Sequence, residues 1–196
     1  MSNIASQTYY CQNKVELVHG GKPYFDLLEK LIDGATQTIH LQTYIYDEDD
    51  TGLRIADALI RAATRGVKVF VLVDGFASQR LSKRLIDSWR HAGITFKRFM
   101  PLLKSRYFYL GRRLHHKVVV VDHRFGLVGG LNISNRYNDF PDQPAWMDWA
   151  ALVDGEVSAA LHNICLRRGK FTKEEEEVPV TIYPEYNCPI RVRVND

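Results

Sequence analysis

One segment of the chain gathers residues suited to chemistry on phosphorus. His115, Lys117 and Asp122 lie in the run His115-His116-Lys117-Val118-Val119-Val120-Val121-Asp122, and Gly129, Gly130, Asn132 and Ser134 follow shortly after. A neutral imidazole is a nucleophile, an ammonium is a fixed cation, and a carboxamide donates hydrogen bonds without titrating. Placed around a phosphodiester, the three would attack phosphorus and hold its oxygens as negative charge builds on them. Gly129 and Gly130 leave room for a ligand close to the backbone. Residues 133–135 read as the start of a helical turn whose N–H groups bind an anion.

Whether these residues meet depends on the local structure. Residues 115 and 117 are two apart on a strand and share a face, whereas His116 points the other way. Asp122-His123-Arg124 reads as a turn, with 125–128 returning. A loop of two or three residues sets Lys117 opposite Gly129 or Gly130, and His115 opposite Leu131 or Asn132. The hairpin thus collects His115, Lys117 and Asn132 with no long-range assumption. Taken singly, a histidine beside a lysine is a surface feature and a Gly-Gly pair is a turn. It is the joint spacing that sets this segment apart. His19, His40, His91 and His162 read as packing or surface groups.

The rest of the chain supplies a frame for the hairpin. Residues 14–19, 38–46, 67–73 and 94–99 read as strands, and helices follow the first three of them, ending near 33, 63 and 92. The acids at 47–50 read as a cap for the second helix. After the hairpin come a loop at 137–145, a strand at 146–153 and a helix at 156–168. The alternation argues for an α/β fold with a mixed, largely parallel β-sheet sandwiched between helices. Residues 173–177 form a charge run that reads as a solvated linker, and 180–183 and 190–194 are short strand-like pieces.

Composition excludes several classes. The 196 residues carry a net charge of +3, too little to require a polyanionic partner. The charge is uneven: no acid lies between Asp87 and Asp122, where Arg90, Lys97, Arg98, Lys104, Arg106, Arg112, Arg113 and Lys117 draw a phosphate-bearing partner. Cys11, Cys165 and Cys188 form no CxxC pair, so reduced thiols in a cytoplasmic setting fit better than disulfides or structural zinc. No run of residues approaches the length of a membrane span, which implies at most a peripheral place at the inner membrane surface. The basic, aromatic loop at 100–114 suits either a membrane surface or a nucleic-acid strand, and equally packing on its own domain.

The spacing HxK, four residues and Asp, then GGxN and Ser, resembles the HKD signature of the phospholipase D superfamily. Residues 38–50, 66–75 and 146–155 are similar to the bacterial cardiolipin synthase branch, so the likeness runs from about Val15 to Arg168. It implies that His115 becomes a phosphohistidine, that Lys117 and Asn132 hold the phosphoryl oxygens, and that Gly130 and Ser134 belong to the same phosphate pocket. Asp122 enters the catalytic set through the motif, but its place at the turn assigns it to support. Asp148, in Trp146-Met147-Asp148, resembles the downstream carboxylate that fixes the nucleophile's tautomer; the plainer reading is a surface acid on an edge strand. No metal or other cofactor is implied, since fixed positive charge takes that role.

The resemblance also implies a second HKD copy, because His115 cannot protonate the leaving alcohol while it is bonded to phosphorus. No second set occurs in the 196 residues. The expected organisation is an N-terminal extension at 1–13, a phospholipase D-like lobe at 14–170, and a linker with the start of a second lobe at 171–196. The expected partners are a phosphatidylglycerol-like headgroup and a second HKD lobe, in the same chain or in a homodimer. A homodimeric nuclease acting on nucleic acid is the alternative, and an inactive phosphate-binding lobe is the third reading.

Overall fold

The helices begin where the chain can satisfy or omit their first free N–H groups. The computed structural model describes residues 9–100 and 113–193. Helix α1 (Lys22–Gly34) follows strand β1 (Asn13–His19) and has Pro23 in its first turn, where a missing N–H costs nothing. Strand β2 (Thr38–Thr43) leads to α2 (Asp50–Thr64), whose N-cap is Asp49, with Oδ1 accepting from Gly52 N at 3.0 Å. The acidic run is therefore a cap, as its position suggests. Strand β3 (Lys68–Asp74) precedes α3 (Lys83–His91). The latter starts later than its sequence pattern suggests, because Ser82 caps it and Glu48 holds both the Ser82 N–H and its hydroxyl.

Strands β4 (Thr95–Phe99), β5 (Val118–Val121), β6 (Phe125–Gly129) and β7 (Trp149–Gly155) and helix α4 (Val157–Gly169) complete the fold. The seven strands form one sheet in the order β1-β7-β6-β5-β2-β3-β4. It is mixed and lies between helices, as expected of an α/β fold. Parallel pairing is confined to β2–β3 and β3–β4, and the other four pairings are antiparallel. The sheet is thus less parallel than the alternation implies. The hairpin inserts two strands with no crossover helix, and only a crossover keeps successive strands parallel.

The main core lies on one face, where Phe25, Leu28 and Ile32 of α1, Ile55 and Leu59 of α2 and Trp89 of α3 cover Ile39, Leu41, Val71 and Val119. Helix α4 covers the other face, with Leu161, Cys165 and Leu166 packed near Val120, Phe70 and Leu72. Strands β2 and β3 are covered on both sides and buried almost throughout, which explains their continuous apolar runs. His40 and His162 are wholly buried, with ring centroids 4.5 Å apart, while His19 and His91 are exposed. These are the packing and surface roles expected of them.

The charge run after α4 is largely exposed, yet tied to the domain by ion pairs. Phe171 is fully buried, and Glu174, Glu175 and Glu177 reach Lys97, Lys68 and Arg167 at 3.1, 3.0 and 2.7 Å. Opposite charges along β3, β4 and α4 draw the run onto the domain. Residues 178–193 contribute no strand; Ile190 makes one antiparallel bridge to Tyr10. Most of the basic loop, residues 101–112, lies outside the described residues. No described helix is long and apolar enough to cross a membrane.

Candidate active site

The hairpin adopts the expected pairing. Val118 faces Val128 and Val121 faces Phe125, which leaves Asp122, His123 and Arg124 as the turn. Asp122 and His123 have φ of 50° and 58°, a left-handed bend that suits a short hairpin loop. Strand pairing begins at Val118, so His115 and Lys117 stand just before β5 and not within it. The register still carries to Lys117, whose carbonyl accepts from Gly129 N at 3.2 Å. The approach is fixed from the far side by Asp74, which is wholly buried at the end of β3. Its Oδ2 accepts from Leu114 N at 2.9 Å, and Oδ1 accepts from Phe76 N and Ala77 N.

His115 is exposed, and its imidazole rests beside the Tyr44 ring at 5.2 Å. No side chain among the described residues hydrogen-bonds to the imidazole. Lys117 is buried; its Nζ donates to the His115 carbonyl at 3.0 Å and lies 5.5 Å from the Tyr44 ring. Burial pushes the ammonium below its ordinary pKa, and the nearby Asp148 carboxylate opposes that shift. A cation held here, with no ion pair among the described residues, is suited to an anionic ligand.

Asn132 arrives by a second path. The chain leaving β2 runs beside residues 132–134: Tyr46 bridges Ile133 in parallel, and Ile133 N donates to Ile45 O at 3.1 Å. Asn132 is buried, its Oδ1 accepts from Ile45 N at 2.9 Å, and its Nδ2 donates to Tyr137 Oη at 2.8 Å. These bonds fix the amide orientation and leave one Nδ2–H for a ligand. Tyr44, whose ring lies beside His115 and Lys117, thus immediately precedes the amide that Asn132 holds. Tyr44 was not read as a site residue from sequence; its place at the end of a β-rich run was the only hint.

The glycine pair has two distinct jobs. A Cβ on Gly129 would lie 2.7 Å from Trp149 O and 2.8 Å from Ala150 Cα, so this position permits β6 to approach β7. A Cβ on Gly130 would lie 2.2 Å from Asp148 Oδ2, so this position makes room for a carboxylate. Asp148 thereby joins the site, within electrostatic reach of Lys117 and of the buried Tyr24. Its Oδ1 accepts from Trp149 N at 2.8 Å. No hydrogen bond or ion pair to His115 is present, so the tautomer-fixing contact is not made here.

Asp122 lies at the far end of β5 from His115, at the turn that assigns it to support. Its carboxylate accepts from Thr36 N, Thr36 Oγ1, Gln37 N and Thr38 N at 2.7–2.9 Å, amides that lead into β2 and not those of its own turn. Burial pushes its pKa up, but the N–H donors of Thr38, Thr36 and Gln37 together hold it below the ordinary value. The helical start at 133–135 is one 3-10 turn, Asn135–Tyr137. Its first N–H groups are occupied: Asn135 N donates to Asp49 Oδ2 at 2.7 Å and Arg136 N to Ser134 Oγ at 3.4 Å. Buried Ser134 closes this turn, and no row of free amides faces a ligand.

His115, Lys117, Asn132, Gly130 and Asp148 thus converge beyond the ends of β2 and β6, where parallel and antiparallel parts of the sheet meet. Open α/β sheets bind ligands at such a crevice. Comparisons with known proteins identify the family of the chain. Residues 28–145, more than half the chain, match the family described as cardiolipin synthase, PLD-like domain. The chain is 36% identical over 149 residues to cardiolipin synthase B of Escherichia coli (strain K12), covering 74% of this chain and 36% of that protein. It therefore spans little more than a third of that relative's length.

Its fold is similar to phosphatidylserine synthase of Haemophilus influenzae Rd KW20, with a TM-score of 0.67 at 18% identity, covering 82% of this chain and 38% of that one. It is also similar to Nuc of Salmonella typhimurium, a phospholipase D family member, with a TM-score of 0.59 at 17% identity, covering 88% and 100%. At these identities the likeness is one of fold. By its sequence match, the chain belongs to the cardiolipin synthase family of phospholipase D-like domains.

Proposed function

We propose that the chain transfers a phosphodiester through a phosphohistidine on His115, with a phospholipid as substrate and with this site as one half of a two-motif centre. The observation that carries the reading is the arrangement around Tyr44: an exposed imidazole, a buried lysine and an oriented amide with one unused N–H. In the first step a neutral His115 nitrogen bonds to phosphorus and the P–O bond to one alcohol breaks. In the second, another alcohol or water attacks phosphorus and the P–N bond breaks, which returns the imidazole. Lys117 and Asn132 would hold the non-bridging oxygens in both steps. The leaving alkoxide needs a proton that His115 cannot give while bonded to phosphorus, so a second HKD lobe, in the same chain or in a second copy, would supply it.

A second reading keeps the chemistry and changes the substrate to nucleic acid, with two copies of this chain as the assembly. It draws on the full coverage of Nuc, a chain of similar extent. A third, a lobe that binds phosphate without turnover, differs in its response to mutation. Incubation with phosphatidylglycerol vesicles, with a single-stranded oligonucleotide and with a chromogenic phosphodiester distinguishes them. The proposal expects release of the lipid alcohol, abolished by His115→Asn. Cleavage of the oligonucleotide alone would replace the lipid reading with the second, and no turnover of any of the three, the chromogenic diester included, would leave only the third.

A further inference from the structure

The opposite edge of the sheet carries a feature that the site at His115 does not use. β4 is an edge strand, and a cleft of about 1350 Å³ runs beside it between α3 and α4. Apolar groups from four elements line it on both sides of β4: Ile86 and Phe96 toward α3, and Leu72, Phe99 and Ile164 toward α4. Cations form the rim: Lys83, Arg90, Lys97, Arg98, Arg167 and Lys170. Asp87, Glu174 and Glu177 pair with Arg90, Lys97 and Arg167 at 3.4, 3.1 and 2.7 Å. Lys83, Arg98 and Lys170 have no carboxylate partner among the described residues. Arg98 Nη2 donates to Leu81 O at 3.2 Å, while its Nε is buried with no acceptor.

Charges on an edge strand guard against strand pairing, but one or two suffice. Here they extend over α3, β4 and α4 and surround an apolar floor. We propose that this cleft binds an anionic phospholipid away from the reacting site, with the acyl chain on the floor and the phosphate on the rim. The proposal extends the lipid reading of the function and does not rest on the chemistry of His115. Nucleic acid suits the cleft less well. The Phe96 ring lies 5.4 Å from that of Trp89 and 5.9 Å from the Arg98 guanidinium. Phe99 packs against the cluster of Phe70, Leu72 and Leu114. Neither offers a clear face for base stacking, and a sugar–phosphate chain would leave the aliphatic floor uncovered.

Calorimetric titration of the His115→Asn chain with a monomeric long-chain lysophosphatidylglycerol tests the proposal without interference from turnover. The comparison probes are the lysophosphatidylcholine of the same chain length, glycerophosphoglycerol with no acyl chain, and an oligothymidylate. Lysophosphatidylglycerol is expected to bind at one site, and the choline lipid and the bare headgroup at least about tenfold more weakly. In the same background the exposed pair Lys83→Glu and Lys170→Glu, neither holding a carboxylate, is expected to weaken it about tenfold with an unchanged Tm. No binding, equal binding of the bare headgroup, or tighter oligothymidylate binding that the same pair abolishes would overturn it. Failure of the proposed function would show differently, as absent turnover by the wild-type chain.

Discussion

Replacing Gly129 and Gly130 one at a time with alanine should give unequal losses of stability with different causes, although the residues are adjacent. A Cβ at 129 meets Trp149 O and Ala150 Cβ at 2.7 Å and Ala150 Cα at 2.8 Å. These atoms belong to β7, which is held on its other side by β1, with Val18 opposite Ala150. They cannot yield without parting β6 from β7. Overpacking of this kind costs about 3 kcal/mol, or roughly 6–12 °C in Tm for a domain of this size. The three atoms nearest a Cβ at 130 all belong to the Asp148 carboxylate, and that side chain can swing outward. The loss is then about one hydrogen bond, from Trp149 N, worth about 1 kcal/mol, or roughly 2–4 °C. Thermal unfolding followed by circular dichroism measures both. In an Asp148→Ala background, Gly130→Ala should cost nothing further, since its clash has gone. Equal losses at the two positions, or a Gly130→Ala loss that persists without the carboxylate, would refute the division of roles.

Acid should destabilise the domain through its buried histidines. Burial first, then the neighbouring histidines, pushes His40 down to about 2 and His162 down to about 4. Below about 6.5 the unfolded chain binds protons that the folded chain does not, so stability falls with pH by about 1.4 kcal/mol per unit for each ring that stays neutral. Urea unfolding at several pH values between 4 and 7 reads this slope, and His162→Phe should reduce it. Asp122→Ala leaves four donors without their carboxylate and should cost roughly 3 kcal/mol at neutral pH. Because the folded pKa of Asp122 is depressed, its contribution is present above the ordinary carboxylate pKa and lost as pH falls through the folded value. The gap between wild type and variant should therefore narrow in strong acid. Lys117→Met should slow phosphoryl transfer about 10²–10³-fold with an unchanged or raised Tm, since burial penalises the ammonium.

Much of the site was legible because its members lie close in sequence. The hairpin register follows from the spacing of Lys117, Asp122 and Gly129, and the same spacing places Asp122 at a turn remote from His115. What escaped was supplied by distant segments. Tyr44, which follows β2 and sets its ring beside the lysine, and Asp74, which ends β3 and anchors Leu114, give no local sign of their contacts. The expected anion-binding turn at 133–135 fails because Asp49 and Ser134 take its amides, a contact between residues 86 apart in sequence. The parallel content of the sheet was overstated because alternation does not reveal which strands a hairpin inserts. The acidic run near Glu175 reads as solvated until the cations of β3, β4 and α4 are seen beside it.

The central claim is that His115 forms a bond to phosphorus. A phosphodiester with a nitrophenyl leaving group makes the first step accessible to this chain alone, since an acidic phenol departs as its anion and needs no proton from a second lobe. Acid-sparing rapid quench with radiolabelled diester, followed by peptide mapping, should show a burst of nitrophenolate of about one equivalent. The label should sit on the peptide containing His115 and be absent in His115→Asn. Label on another residue, or a burst that survives His115→Asn, would contradict it.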